Sequence, residues 1–201
     1  MSASQTQGPA TGRNVGASTA TVDNVFPRQA IDYLNRLADS RPGDMGSIVR
    51  GDASAALADH VRKSEVFWID EEPATRPIFQ LLAQFVQKAN EQVFRLDLMG
   101  FGEPLQIATY RGADEGFYGW HVDIGAGRLA QRKLSLVIPL TDPAEYEGGE
   151  LQLFHDHEPA AVPMPLGRIV AFPSYVLHRV TPVTKGVRRT LAVWVSGPPY
   201  R

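Results

Sequence analysis

His121 and Asp123 sit two residues apart in the run FYGWHVD, and His178 follows 55 residues beyond Asp123. On a strand, residues two apart point the same way, so the first pair offers an imidazole nitrogen and a carboxylate oxygen to one point in space. Alone, that triplet is common, and a satisfied surface pair is its plainer explanation. His178 changes its meaning. Two histidines and one carboxylate around a divalent ion leave three positions open for an oxidant and a co-substrate. Ten residues after His178 stands Arg188, in VTKGVRRT. Strand alternation puts Arg188 on one face with Thr190 and Ala192 and sends Arg189 to the other, so the two cannot share a role. An arginine facing the inside of a sheet structure is costly unless it meets an anion. A guanidinium grips a carboxylate with two parallel hydrogen bonds. The spacing predicts a metal next to a bound carboxylic acid.

Those residues need strands to position them. After about residue 96 the chain breaks into short strand-like runs separated by Gly, Pro, Asp and Asn: LQIATYR, FYGWHVD, KLSLVIPL, GELQLF, RIVAF, VLHRVTPV and RRTLAVWV. Strands at such spacing predict an antiparallel sandwich or barrel. In the first of them, Gln106, Ala108 and Tyr110 share a face. Earlier, Pro27 suits a first helical turn, and Ala30, Ile31, Leu34, Leu37 and Ala38 repeat at three and four. The Pro- and Gly-containing run 40–46 ends that helix. A second stripe, Ile78, Phe79, Leu82, Phe85, Val86, Ala89 and Val93, predicts a helix from about Thr75 to Arg95. RKSEVFWID at 62–70 is compact and aromatic and is assigned no element. The expectation is one α+β domain over residues 21–201, with helical support at 21–95 and a strand core at 96–198. Residues 1–20, poor in large apolar side chains, read as a flexible tail.

Composition closes off other chemistries. There is no cysteine, so thiolate zinc sites, iron–sulfur clusters, disulfides and thiol nucleophiles are excluded; a reducing cytoplasm fits. A formal net charge of -2 supplies no basic field for nucleic acid or an anionic membrane. The N-terminus lacks the basic start and apolar run of a secretory signal. No run approaches the roughly 18 apolar residues of a membrane helix.

HVD, GGELQLF and FPSYVLHRVTPVTKGVRRTLAVWV resemble the double-stranded β-helix (jelly-roll) core of the 2-oxoglutarate- and Fe(II)-dependent dioxygenases, over roughly residues 96–198. Within that superfamily they are most similar to the prolyl-4-hydroxylase-like group, including bacterial PKHD-type hydroxylases. The resemblance implies His121, Asp123 and His178 as the catalytic iron ligands. It implies Arg188 as the partner of the distal carboxylate of 2-oxoglutarate, and Tyr110 as a hydrogen-bond donor to the same carboxylate. A core tyrosine with its hydroxyl satisfied elsewhere is the alternative for Tyr110. The implied cofactors are Fe(II), 2-oxoglutarate as co-substrate and O2. The implied reaction is hydroxylation of an unactivated C–H bond with release of succinate and CO2. Related halogenases carry a small residue where this chain has Asp123, which favours hydroxylation.

Three other readings stay open. A non-catalytic jelly-roll module would use the cluster for a structural metal or none. A cupin-type metalloenzyme would show HxH with a nearby Glu, which HxD and Arg188 argue against. Nucleic-acid demethylation is disfavoured by the acidic balance. The substrate is a protein or peptide residue, an amino acid or another small metabolite, and the oligomeric state is open. His155, Asp156 and His157 read as a solvated turn before the Pro-rich loop EPAAVPMPLG. Trp120 reads as either packing or mouth lining, Gly148-Gly149 as a turn, His60 as a surface residue, and Arg128, Arg132 and Lys133 as a solvated charge run.

Overall fold

The computed structural model describes residues 19–23, 25–40, 44–45, 61–155 and 157–200. Residues 1–18, His60 and Asp156 lie outside them, so the expectations for these are not addressed. Of the last residues placed in the expected 1–20 tail, Thr19 is buried and Ala20 opens a strand.

In chain order the strands are β1 (Ala20–Val22), β2 (Asp44–Met45), β3 (Arg62–Lys63), β4 (Glu65–Ile69), β5 (Gly100–Phe101), β6 (Leu105–Arg111) and β7 (Phe117–His121). Then come β8 (Arg132–Pro139), β9 (Tyr146–Gly148), β10 (Leu151–His155), β11 (Glu158–Val162), β12 (Ile169–Pro173), β13 (His178–Val180) and β14 (Val183–Ser196). They form two antiparallel sheets of a jelly roll. The larger runs β1-β12-β8-β14-β6-β4-β2, with β5 and β9 paired to β14; the smaller runs β11-β10-β13-β7-β3.

The helices α1 (Arg28–Asp39) and α2 (Arg76–Ala89) bury Ile31, Leu34, Ile78, Phe79, Leu82, Phe85 and Val86 in one cluster with the large sheet. Strand alternation divides that sheet's two faces. Leu191, Val193 and Val195 of β14 and Leu105 and Ile107 of β6 join the helices. The alternate residues, Arg188, Thr190, Ala192 and Trp194 with Gln106, Ala108 and Tyr110, line a cavity facing the small sheet. A period of two thus puts these apolar residues on the helix side and gathers the polar residues Arg188, Thr190, Gln106 and Tyr110 on the cavity side. Fully burying side chains such as Leu34 and Leu82 contributes roughly 1.5–3 kcal/mol each.

Four expectations shift. The second helix stops at Ala89 and continues as one π-helical turn, Asn90–Phe94, closed by Arg95 at φ 53. The wider turn takes Val93 off the apolar stripe, and it is exposed. The Asn90 side chain fixes the exit, donating to the Leu96 carbonyl and accepting from its amide, both at 2.9 Å. RKSEVFWID becomes two strands in different sheets: Arg62 and Lys63 pair with β7, and Glu65–Ile69 pairs with β6. The segment read as helical support therefore also supplies strands to both sheets. EPAAV is a strand on the edge of the small sheet, with Pro159 opposite Phe154; at an edge its missing N–H disrupts no further ladder. His157 beside it is exposed.

Candidate metal centre

The register of the small sheet brings the two histidines together. His178 on β13 lies directly opposite His121 on β7, with ring centroids 4.1 Å apart. Asp123 lies beyond the end of β7, so strand alternation does not aim it. Its amide donates to the Ser174 carbonyl at 2.9 Å, which turns its side chain back onto the histidines. Asp123 Oδ1 is 3.7 Å from His121 Nε2, and Oδ2 is 3.6 Å from His178 Nε2. One ligand atom from each residue lies within 4.8 Å of the others, the one such group of His, Asp and Glu among the described residues.

Each imidazole is pre-set as a ligand. His121 Nδ1 is 2.8 Å from the Gly119 carbonyl, and His178 Nδ1 is 2.9 Å from the Val176 carbonyl. A carbonyl only accepts, so Nδ1 carries the proton and Nε2 presents a lone pair to the cluster. Burial and the neighbouring His178 push the His121 imidazole down to about 3, so it is neutral at neutral pH. Burial alone would raise the Asp123 carboxyl. The two histidines and the Ser135 hydrogen bond outweigh it and hold the group below the usual carboxylate range. Two imidazoles, each with Nε2 turned to the cluster, and one carboxylate fit a first-row divalent ion with open positions. Separations of 3.6 and 3.7 Å are within reach of one ion with bonds of about 2 Å.

Arg188 supplies the second half of the site. It pairs with Tyr110 across β14 and β6, and its guanidinium lies 5.2 Å from the centre of the Tyr110 ring. It is 1% exposed, and none of its three side-chain nitrogens has a hydrogen-bond partner. A buried charge left without a partner costs several kcal/mol, so this position calls for an anion. The same cavity, of about 50 Å³, is lined by His121, Asp123, His178, Tyr110 and Arg188. Arg189 points the other way, to Asp39 and Thr109, as alternation predicts.

Gly149 makes room for this arginine. It adopts φ +63, and a Cβ there would stand 2.7 Å from Arg188 Cδ and 2.8 Å from Val183 Cγ2. Gly149→Ala is expected to displace Arg188 and destabilise the protein by about 1–3 kcal/mol, from the left-handed backbone and the overpacking together. Denaturant unfolding measures it; a change within about 0.5 kcal/mol, the range of ordinary surface substitutions, would show that the contact is relieved at no cost.

Several cavity residues escaped the sequence reading. Arg62 is buried and reaches in from β3, bonded to Ser64 and to Gln106 at 2.7 and 2.8 Å. Unlike Arg188 it is already satisfied. Its guanidinium lies 4.7 Å from the centre of the Tyr118 ring, and Tyr118 stacks on His121 at 3.4 Å. Burial raises the Tyr118 hydroxyl to about 12. Tyr118 is three residues from His121, the wrong spacing for one face of a regular strand. A register shift opposite His178 and Val180 inserts one extra residue in β7 and puts both rings on the same side. Trp120 falls on the other side, edge-on to Phe154 and under Arg179.

The expected charge run also changes character. Arg132 and Lys133 are buried. Arg132 takes both oxygens of Glu103 at 2.6 Å and lies over Trp194; Lys133 lies over Tyr200. Arg132 and Lys133 hold the strand after the ligand loop rather than standing as a solvated charge run. No described helix is long and apolar enough to cross a membrane.

Comparisons with known proteins agree with this geometry. The family model of the 2OG-Fe(II) oxygenase superfamily matches residues 105–196. A PKHD-type hydroxylase of Variovorax paradoxus is 34% identical over 167 residues, covering 80% of this chain and 69% of the relative. One from Acidovorax ebreus is 41% identical over 92 residues, covering 43% of this chain and 40% of the relative. The chain spans 36% to 40% of the length of three such relatives in these alignments. In fold, the chain is similar to a prolyl hydroxylase from Trichoplax adhaerens in complex with a hypoxia inducible factor oxygen degradation domain peptide fragment. The TM-score is 0.73 at 16% identity, covering 90% of this chain and 84% of that one. Cluster, cavity and relatives converge: the chain belongs to the 2OG-Fe(II) oxygenase superfamily, in the branch of the PKHD-type hydroxylases.

Proposed function

We propose that this chain is an Fe(II)- and 2-oxoglutarate-dependent dioxygenase that hydroxylates an unactivated C–H bond of a peptide or protein residue. The observation that carries the reading is Arg188: a fully buried, partnerless guanidinium in the same cavity as His121, Asp123 and His178. A structural metal site would need no such group. When bound, Fe(II), 2-oxoglutarate and O2 supply the oxidation, one oxygen atom going to succinate as CO2 leaves and the other to the C–H bond.

The chain's own residues do the rest. His121 Nε2, His178 Nε2 and one oxygen of Asp123 hold the metal and leave the remaining positions open. Arg188 receives the distal carboxylate of the co-substrate, with the Tyr110 hydroxyl beside it. Tyr118, Leu151 and Val180 give the pocket apolar walls that keep water from the reacting centre. A peptide substrate is supported by the fold-level similarity to a hydroxylase that carries a peptide.

Succinate production by the purified chain with Fe(II) and 2-oxoglutarate tests the reaction. Peptide and amino-acid pools, moved from anaerobic to aerobic buffer and scanned for a mass gain of one oxygen atom, test the substrate class. Oxygen gain in amino acids and not in peptides would move the assignment to a small-molecule substrate. Absence of turnover with Fe(II) and 2-oxoglutarate would favour the non-catalytic module, and iron-independent turnover would overturn the metal-dependent reading.

A further inference from the structure

Asp123 is the one member of the cluster that no regular element holds, since β7 ends at His121. Two buried serines hold it instead. Ser135 Oγ donates to Asp123 Oδ2 over 2.6 Å. The hydroxyl oxygens of Ser135 and Ser174 lie 3.0 Å apart. A serine has one hydroxyl proton; with its own committed to the carboxylate, Ser135 accepts from Ser174. Both are at most 1% exposed, so bulk water cannot replace either hydroxyl. The Ser174 main chain completes the grip. Its carbonyl accepts the amides of Asp123 and Ile124 at 2.9 and 3.3 Å, and its amide donates to the Lys133 carbonyl at 3.0 Å. One residue thus fixes the Asp123 backbone directly and its side chain through Ser135.

The result is a choice between two carboxylate oxygens. A free carboxylate can offer both to one ion. Both oxygens stand near a histidine, Oδ1 3.7 Å from His121 Nε2 and Oδ2 3.6 Å from His178 Nε2, and what separates them is Ser135, whose short, charge-assisted hydrogen bond engages Oδ2. We propose that Ser135, oriented by Ser174, is the positioning residue that makes Asp123 a one-oxygen ligand through Oδ1. This deepens the proposed function and rests on it only in that His121, Asp123 and His178 hold a metal ion. Three protein ligand atoms, rather than four, leave room for a co-substrate that binds through two atoms and for O2.

Metal-stripped full-length protein titrated with Mn(II) and with Co(II) tests this without turnover, and melting of each apoprotein confirms that it is folded. Ser135→Ala is expected to bind Mn(II) roughly 10–100-fold more weakly. Its Co(II) visible absorption is expected to change in intensity, because a carboxylate released to bind through both oxygens alters the coordination number. Ser135→Thr, which keeps the hydroxyl, should recover most of the affinity; an affinity no better than that of Ser135→Ala assigns the loss to packing and overturns the role. Ser174→Ala should give a smaller loss than Ser135→Ala, and carries the test if the latter does not fold: unchanged affinity there overturns the proposal. Equal Mn(II) affinity and an unchanged Co(II) spectrum in Ser135→Ala would also sink it while leaving the metal centre standing. A wild-type chain that binds neither ion fails the reading of the centre itself.

Discussion

Replacing Arg188 with methionine is expected to do two opposite things: abolish tight 2-oxoglutarate binding and raise the melting temperature of the apoprotein. The binding loss follows from removing one partner of a buried, charge-assisted pair, which costs about 2–5 kcal/mol, or roughly 30-fold to several thousand-fold in affinity. The stability gain follows from the same burial. Without an anion, all three guanidinium nitrogens are unbonded in a site that is 1% exposed. Apolar replacements of buried charged groups are often stabilising by about 1–4 kcal/mol. At this chain length each kcal/mol is worth about 2–4 °C. Calorimetric titration with 2-oxoglutarate in the presence of Mn(II), which avoids turnover, reads the first effect; thermal melting reads the second. Saturating 2-oxoglutarate should raise the melting temperature of the wild type and leave Arg188→Met unmoved. An unchanged affinity in the variant would remove Arg188 from the co-substrate site. A fall in apoprotein melting temperature would mean that its guanidinium is satisfied in solution.

The second large effect belongs to the ligand set. His121→Ala, His178→Ala and Asp123→Asn are each expected to reduce iron-dependent succinate formation to background. Asp123→Asn is the most informative of the three. The amide keeps the carboxylate's volume and an oxygen to accept from Ser135, so the buried serine pair stays bonded. It removes the one negative charge facing the two imidazoles. Metal affinity should therefore fall with little change in the apoprotein's melting temperature. Chelator treatment should silence the wild type, and added Fe(II) should restore it but not the variants. Full turnover in both His121→Ala and Asp123→Asn would show that the cluster is not the reacting centre.

The contrast between Arg188 and Arg62 shows how the cavity divides its charges. Both are arginines whose side chains line the same space. Arg62 is bonded to Gln106 and Ser64 and stacked on Tyr118, so it is part of the wall. Arg188 is buried with no hydrogen-bond partner for its guanidinium, which suits it to the co-substrate role proposed above. A stability cost held at a binding position is the usual price of function.

Much of this was legible in the residues themselves. The period of two along β6 and β14 separates Leu105, Ile107, Leu191 and Val193 from Gln106, Ala108, Tyr110, Arg188 and Thr190, and it selects Arg188 over Arg189. That reading succeeds because side-chain direction on a regular strand depends only on sequence position. The apolar stripes of both helices are local in the same sense. The reading loses its footing where the backbone leaves regularity or where partners are distant. Val93 left its stripe because Asn90–Phe94 is a π turn. Arg132 and Lys133 looked like solvated charge because their partners, Glu103 and Tyr200, are far away in sequence.

The sequence by itself determined the chemistry: two imidazoles, one carboxylate and one guanidinium at spacings suited to a metal and a carboxylic acid. Only the tertiary structure decided how they meet. HVD looked like two ligands aimed by one strand, but the strand stops at His121, and Asp123 is aimed by Ser174 and Ser135. Tyr118 reached the His121 ring because β7 gains a residue opposite β13. Hydrogen bonds between residues tens of positions apart and a one-residue slip in register leave no local periodicity to read, because they exist only once the sheets have paired.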